Sequence, residues 1–158
     1  MFFIRPATLG DIEILAKIYV EVYRITNPIE KWTQKSAHDF MLYFFQVSQG
    51  LFFVGINDEK IIGASWGQVK PWWNGNKLYD IEIFIKNEFQ NKGYSNPLFI
   101  RLFEEAILNY SVVDVEAITF NDRSFPLSYY ERIQLGKDGQ LVLLSGNAKN
   151  ILNKLKGE

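Results

Sequence analysis

Apolar residues fall at alternate positions through Ile81, Ile83 and Ile85, the period of two that a strand shows when one face meets a core. Beyond a polar turn the period lengthens. Leu98, Phe99, Leu102, Phe103, Ala106 and Ile107 recur at helical spacing, with Arg101, Glu104 and Glu105 on the opposite side. The stretch from Leu78 to Leu108 therefore reads strand, short loop, helix. Upstream, Phe2 to Arg5 reads as a short strand, and Thr8 with Asp11 three residues on is a helix-start pattern. Ile12, Leu15, Ile18, Tyr19 and Val22 then form an apolar stripe. Ile25 to Lys35, with Asn27-Pro28, reads as a loop leading to a second cap at Ser36-Ala37-His38-Asp39. The helix after it carries Phe40, Phe44, Phe45 and Val47, with His38 a surface residue of its first turn, and Gly50 closes it.

Leu51 to Ile56 and Ile61 to Val69 make a hairpin through Asn57 to Lys60, and Pro71 to Asn76 turns the chain into the Leu78 strand. Three consecutive antiparallel strands result. Trp72-Trp73 in that turn suits either a wall against a ligand or the covering of a sheet edge. After the central helix, Val112 to Phe120 reads as a strand. A short helix follows through Ile133, then a strand over Leu141 to Leu144 and a terminal helix over Ala148 to Leu155.

The polar turn is Gln90-Asn91-Lys92-Gly93-Tyr94-Ser95, with Asn96-Pro97 behind it. Gly93 has access to backbone angles closed to other residues, Ser95 is small, and Pro97 suits a first helical turn. Backbone N–H groups at such a helix start, with the positive end of the helix dipole, form an anion site suited to a pyrophosphate. A plain connection between strand and helix is the competing reading.

Composition narrows the field. The 158 residues, 47% hydrophobic and 16% aromatic, suit a single domain over residues 1–158. A net charge of −1 without a long run of one sign argues against a nucleic-acid or membrane-surface partner. With no cysteine, disulfides, thiolate metal sites and a cysteine nucleophile are excluded, and one histidine leaves no basis for a histidine metal cluster. No apolar run approaches a membrane span and MFFIRPAT lacks the features of a cleaved leader, so a soluble cytoplasmic protein is expected.

The run from Ile85 to Ser95 resembles the acetyl-CoA motif of the GCN5-related N-acetyltransferases (GNAT), Q/R-x-x-G-x-G/A after a strand. Gln90 and Gly93 match, and Ser95 stands where Gly or Ala is usual. The opening IRPAT followed by an aspartate is also common there. A second foothold is Asn121 with Tyr130-Glu131-Arg132-Ile133-Gln134-Leu135, similar to the family's Y-E-K-x-G-F, although Pro126 interrupts the run and Gln134-Leu135 replaces Gly-Phe. The resemblance implies an α/β (α+β) fold with a mixed, mostly antiparallel sheet flanked by helices on both faces. It also implies acetyl-CoA as co-substrate, held by Ile83, Phe84, Ile85, Gln90, Asn91, Lys92, Gly93, Tyr94, Ser95 and Asn121, with no metal. The implied activity is direct acetyl transfer to a primary amine, of a small molecule or a protein N-terminus, by a monomer or homodimer. A CoA-binding or protein-interaction module without turnover is the alternative.

An alkylamine with a pKa near 10.4 loses its proton at pH 7 at a cost of roughly 4–5 kcal/mol, so a nearby carboxylate is wanted. Strand alternation puts Asp80, Glu82 and Phe84 on one face. Glu82 is the candidate base, against the reading of a solvent-facing carboxylate. By the resemblance Tyr130, or adjacent Tyr129, is the acid that protonates the leaving thiolate; a core aromatic is the competing role. A backbone N–H of the Leu78 to Ile85 strand is expected to polarise the carbonyl.

Overall fold

Five strands pair in chain order: β1 (Phe2–Pro6), β2 (Phe52–Asn57), β3 (Lys60–Trp72), β4 (Gly75–Ile85) and β5 (Val112–Val115). β1 to β4 are antiparallel, whereas β5 runs parallel to β4, as the long return through a helix requires. The computed structural model describes residues 1–48 and 50–157. They divide into two units, Met1–Phe120 and the residues from Asn121 onward.

In the first unit α1 (Ile12–Thr26) and α2 (Gln34–Val47) cover one face of the sheet. The predicted α1 stripe is buried in full, joined by Ala16, and packs with Ala37, Met41 and Phe44 of α2 against Phe52, Val54, Ala64, Trp66 and Phe84. Ser65, between Ala64 and Trp66, points the other way. Its hydroxyl donates to the Leu98 carbonyl at 3.2 Å, placing α3 (Ser95–Tyr110) on the opposite face. Leu98, Phe99, Leu102 and Ala106 are buried there, while Ile107, expected in the stripe, is exposed. The sheet is mixed, mostly antiparallel and flanked by helices on both faces.

Several local expectations are corrected. α1 continues to Thr26, and a 3-10 turn occupies Pro28–Glu30 within the expected loop. α2 is capped by Thr33, whose hydroxyl accepts from the Ser36 N–H at 3.1 Å. Helix therefore starts before Ser36, and His38 falls in the second turn. The β3–β4 hairpin is longer than the pattern suggests, Trp72 pairing with Gly75 across a tight turn. Trp73 is 86% exposed and covers no edge. Asp80 breaks the alternation: it has φ 48, and two β4 residues oppose Gly67 between the pairs Trp66–Glu82 and Gln68–Tyr79. This is a β-bulge, which bends its strand and ends local pairing. β5 accordingly meets β4 only as far as Leu78 and stops at Val115 instead of Phe120.

The second unit contains α4 (Leu127–Arg132) and α5 (Ala148–Lys156), with α5 started by the Asn147 side chain accepting from the Asn150 N–H at 3.1 Å. The strand expected over Leu141 to Leu144 is absent. An apolar run of that length is not a strand without a partner to pair with, and among the described residues of its unit none is extended beside it.

Candidate active site

The bulge decides what β4 offers. Its last bond to the β5 side is the Glu116 N–H to the Leu78 carbonyl at 2.8 Å. Beyond that point, among the described residues, β4 has a neighbour only in β3. Backbone groups alternate in direction along a strand. The Lys86 N–H donates to Ile62 of β3 at 2.7 Å, so even-numbered positions at this end face β3. The Ile85 carbonyl instead accepts from the Gln90 amide at 2.8 Å. Ile83 and Ile85 thus turn their backbone groups into the gap that opens where β5 leaves.

Glu82 lies at this gap. Its Oε1 accepts from the Ile83 N–H at 3.1 Å, and its side chain sits on the α1 face beside Tyr19 and Tyr23, whose hydroxyls favour its charged form. The expectation of a solvent-facing carboxylate is not met: Glu82 is largely enclosed. Burial pushes its pKa up to about 7 against a partly opposing pull from Tyr23 and the Ile83 N–H, and the Glu30 carboxylate adds repulsion. Burial and the Glu82 charge also raise the pKa values of Tyr23 and Tyr19, so both stay protonated as donors. Tyr19 stacks on Tyr23 at 4.2 Å and meets Phe84 and Trp32 edge-on, each at 5.2 Å, which fixes the pair. Asp80, placed beside Glu82 by alternation, belongs to the bulge instead and accepts from Gln68 at 3.2 Å.

The loop after β4 is shaped as its residues require. Asn91 has φ 60 and Gly93 φ 84, while Tyr94 is right-handed. Neighbouring left- and right-handed residues turn successive N–H groups to one side and make an anion-binding concavity. A Cβ at Gly93 would meet nothing within 4 Å, so the space in front of the loop is open. Gln90 uses its amide donors inward, on the Ile85 carbonyl and on Asn87 Oδ1 at 3.1 Å, clasping the loop to the strand end. Tyr94 is anchored against Phe2 at 4.7 Å, and exposed Lys92 lies 5.4 Å from the Phe89 ring. Ser95 begins α3. Phe84, expected among the cofactor contacts, is buried in the α1 face and turns its backbone groups toward β3 rather than into the gap.

Asn121, Tyr129 and Tyr130 belong to the second unit. Asn121 is exposed. Tyr130 is buried and its carbonyl accepts from the Leu135 N–H at 2.9 Å. Burial raises the pKa of Tyr129, 5.8 Å away ring to ring.

Sequence reasoning missed a cavity of about 260 Å³ beside the Glu82 cluster, lined by Val20, Tyr23, Arg24, Asn27, Pro28, Lys31 and Trp32. Asn27-Pro28 marked the chain break that forms it, but not what faces inward. Among the described residues no group of three metal-ligating side chains occurs, and no helix is long and apolar enough to cross a membrane.

No protein-family model and no curated protein matches the chain. Solved structures do. A possible acetyltransferase from Clostridium difficile 630 superposes with a TM-score of 0.78 at 16% identity, over 93% of this chain and 98% of its own. A predicted acetyltransferase with acetyl-CoA from Clostridium acetobutylicum gives 0.67 at 16% identity, over 92% and 96%. The chain has the GNAT fold. AAC(6')-Iy in complex with the bisubstrate analogue CoA-S-monomethyl-acetylneamine extends the likeness, with a TM-score of 0.70 at 12% identity over 94% and 99%. The GNAT likeness thus spans nearly the whole chain at identities where architecture alone is shared.

Proposed function

We propose that the protein is an acetyl-CoA-dependent N-acetyltransferase acting on a small primary amine. The observation that carries this reading is the carboxylate of Glu82, poised near neutrality and set at the edge where β4 loses its β5 neighbour. The fit to acetyl-CoA is supported by that open edge and by the unobstructed loop in front of Gly93. The Ile83 carbonyl and the Ile85 N–H would pair with the pantetheine amides, the Ile83 N–H and Ile85 carbonyl being engaged by Glu82 and Gln90, and the amides of residues 91–95 would hold the pyrophosphate. Bound acetyl-CoA would supply an activated acetyl thioester.

Glu82 is then the base. A carboxylate half-ionised near pH 7 accepts a proton effectively at that pH. The acceptor's ammonium loses two protons as an N–C bond replaces the C–S bond. One goes to Glu82. The other reaches the departing thiolate through a tyrosine hydroxyl, assigned by resemblance to Tyr130 or Tyr129.

Calorimetric titration of acetyl-CoA and CoA into the protein tests the cofactor. Micromolar binding is expected, abolished in Gly93→Trp, whose ring fills the loop's open face without touching the core. A folded protein that binds neither ligand overturns the reading. Binding without thiol release over an amine panel supports the alternative of a CoA-binding module.

A further inference from the structure

The cavity beside Glu82 has an unusual charge arrangement for a site receiving an ammonium. Its wall carries two cations, Arg24 and Lys31, and no carboxylate. Among the described residues neither cation has an ion-pair partner, although i,i+4 pairs occur elsewhere on these helices between Lys17 and Glu13 and between Lys35 and Asp39. Lys31 is held at the cavity by a left-handed backbone, φ 47, immediately after the 3-10 turn. Two acids, Glu30 and Glu82, interact with residues of the lining without belonging to it. Glu30 is tied to the Trp32 indole N–H at 2.6 Å, and it and Glu82 are near enough to repel. Tyr23 connects the two groups of charges: it lines the cavity and its hydroxyl favours the charged form of Glu82.

Two cations in the wall, with a wall tyrosine that also interacts with the Glu82 carboxylate, match a ligand that is anionic at one end and cationic at the other. Size points the same way. At about 260 Å³ the cavity falls below the roughly 300–1,000 Å³ of pockets that enclose drug-sized ligands. A polycationic acceptor would meet Arg24 and Lys31 with like charge, and an apolar amine would leave both cations without a counter-charge.

Building on the acetyltransferase reading, we propose that the acceptor is a small zwitterionic amine of amino-acid type. Its acidic group is held by Arg24 and Lys31, which directs its amine to Glu82. Arg24 and Lys31 are specificity-determining residues in this scheme. The shared chemistry at the anionic end is an oxyanion, carboxylate or phosphate, on a short carbon chain.

The test measures acid against neutral analogue. Binding of the L-amino acids, the corresponding amino-acid amides and phosphoethanolamine is followed by calorimetry without acetyl-CoA, and kcat/KM for thiol release is measured with the same compounds. At least one acid is expected to bind at least tenfold more tightly than its amide, with the same preference in kcat/KM carried by KM. In the double variant Arg24→Gln, Lys31→Asn the acid-to-amide ratio should fall towards one. Asparagine tolerates the left-handed backbone at position 31, and both side chains are exposed, so the variant keeps the fold. A preference for phosphoethanolamine over the amino acids identifies phosphate as the anion. Equal binding of acids and amides, or a preference that survives the double substitution, overturns the proposal. The calorimetric arm is independent of turnover. Failure to bind CoA therefore counts against the acetyltransferase reading alone, and loss of acid selectivity against this proposal alone.

Discussion

At the residue scale, Glu82 is a group whose folded environment disfavours its own charge. Its pKa rises from 4.5 to about 7, so between those values the native state binds more protons than the unfolded state. Stability therefore falls as pH rises through that window and levels off above it. The cost of ionisation is about 3 kcal/mol at 1.36 kcal/mol per unit, a ceiling because the residue is only partly buried. Glu82→Gln removes the titration. Denaturant unfolding should show the variant matching the wild type near pH 5 and exceeding it at pH 8, by up to that ceiling. A difference that does not change with pH would contradict the assignment. In the same variant thiol release should fall by roughly 10²–10⁴-fold, with the acidic limb near pH 7 gone from the kcat/KM profile.

At the element scale, the site depends on the β3–β4 pair holding its register on both sides of the bulge. Gly63 controls that pairing. A Cβ there would lie 2.2 Å from the Phe84 carbonyl oxygen and 2.8 Å from Ile85 Cδ1, the first a backbone atom that cannot swing aside. Gly63→Ala should cost about 3 kcal/mol, the upper end of what overpacking within a core costs, because the closest atom is backbone. Gly93→Ala meets no atom and pays only for its left-handed backbone, about 1–2 kcal/mol. Thermal unfolding of the two variants checks the order, and a milder Gly63 variant would mean the strands separate more easily than their contacts imply.

Much of this element structure was legible in the sequence. The stripes of α1 and α3, the three-strand meander and the glycine turn follow from periodicity and turn chemistry, both local properties. The bulge was not legible, because it puts a left-handed backbone on Asp80, a residue no turn pattern singles out there. Nor was the setting of Glu82, whose tyrosine neighbours come from a helix far upstream. Alternation placed its side chain on the correct face, and only the tertiary fold showed that face to be covered.

At the scale of the whole molecule, order is unevenly distributed. The buried cluster that fixes the sheet draws on residues from Ile12 to Phe84. In the second unit, residues 135–147 carry no regular structure, and Leu141, Val142, Leu143 and Leu144 are 69–84% exposed. Opening a segment costs little where few backbone hydrogen bonds and few buried apolar contacts hold it, and proteases cut where a chain can be drawn out. Chymotrypsin, which cleaves after leucine and aromatic residues, should therefore nick the native protein first between residues 135 and 147, while the aromatic-rich strands β2 and β3 resist. Hydrogen exchange should give the same order, with amides of β2 and β3 slowest and those of residues 139–147 exchanging without measurable protection. If instead the Leu141–Leu144 amides proved protected in the isolated protein, those residues would have found a strand partner after all. The sequence-based expectation of a strand there would then describe the protein in solution. Repeating the exchange with CoA bound separates the units functionally: slowing confined to residues 83–95 would place the ligand on the first unit alone, and slowing that extends beyond Asn121 would bring the second unit, with Tyr129 and Tyr130, into the site.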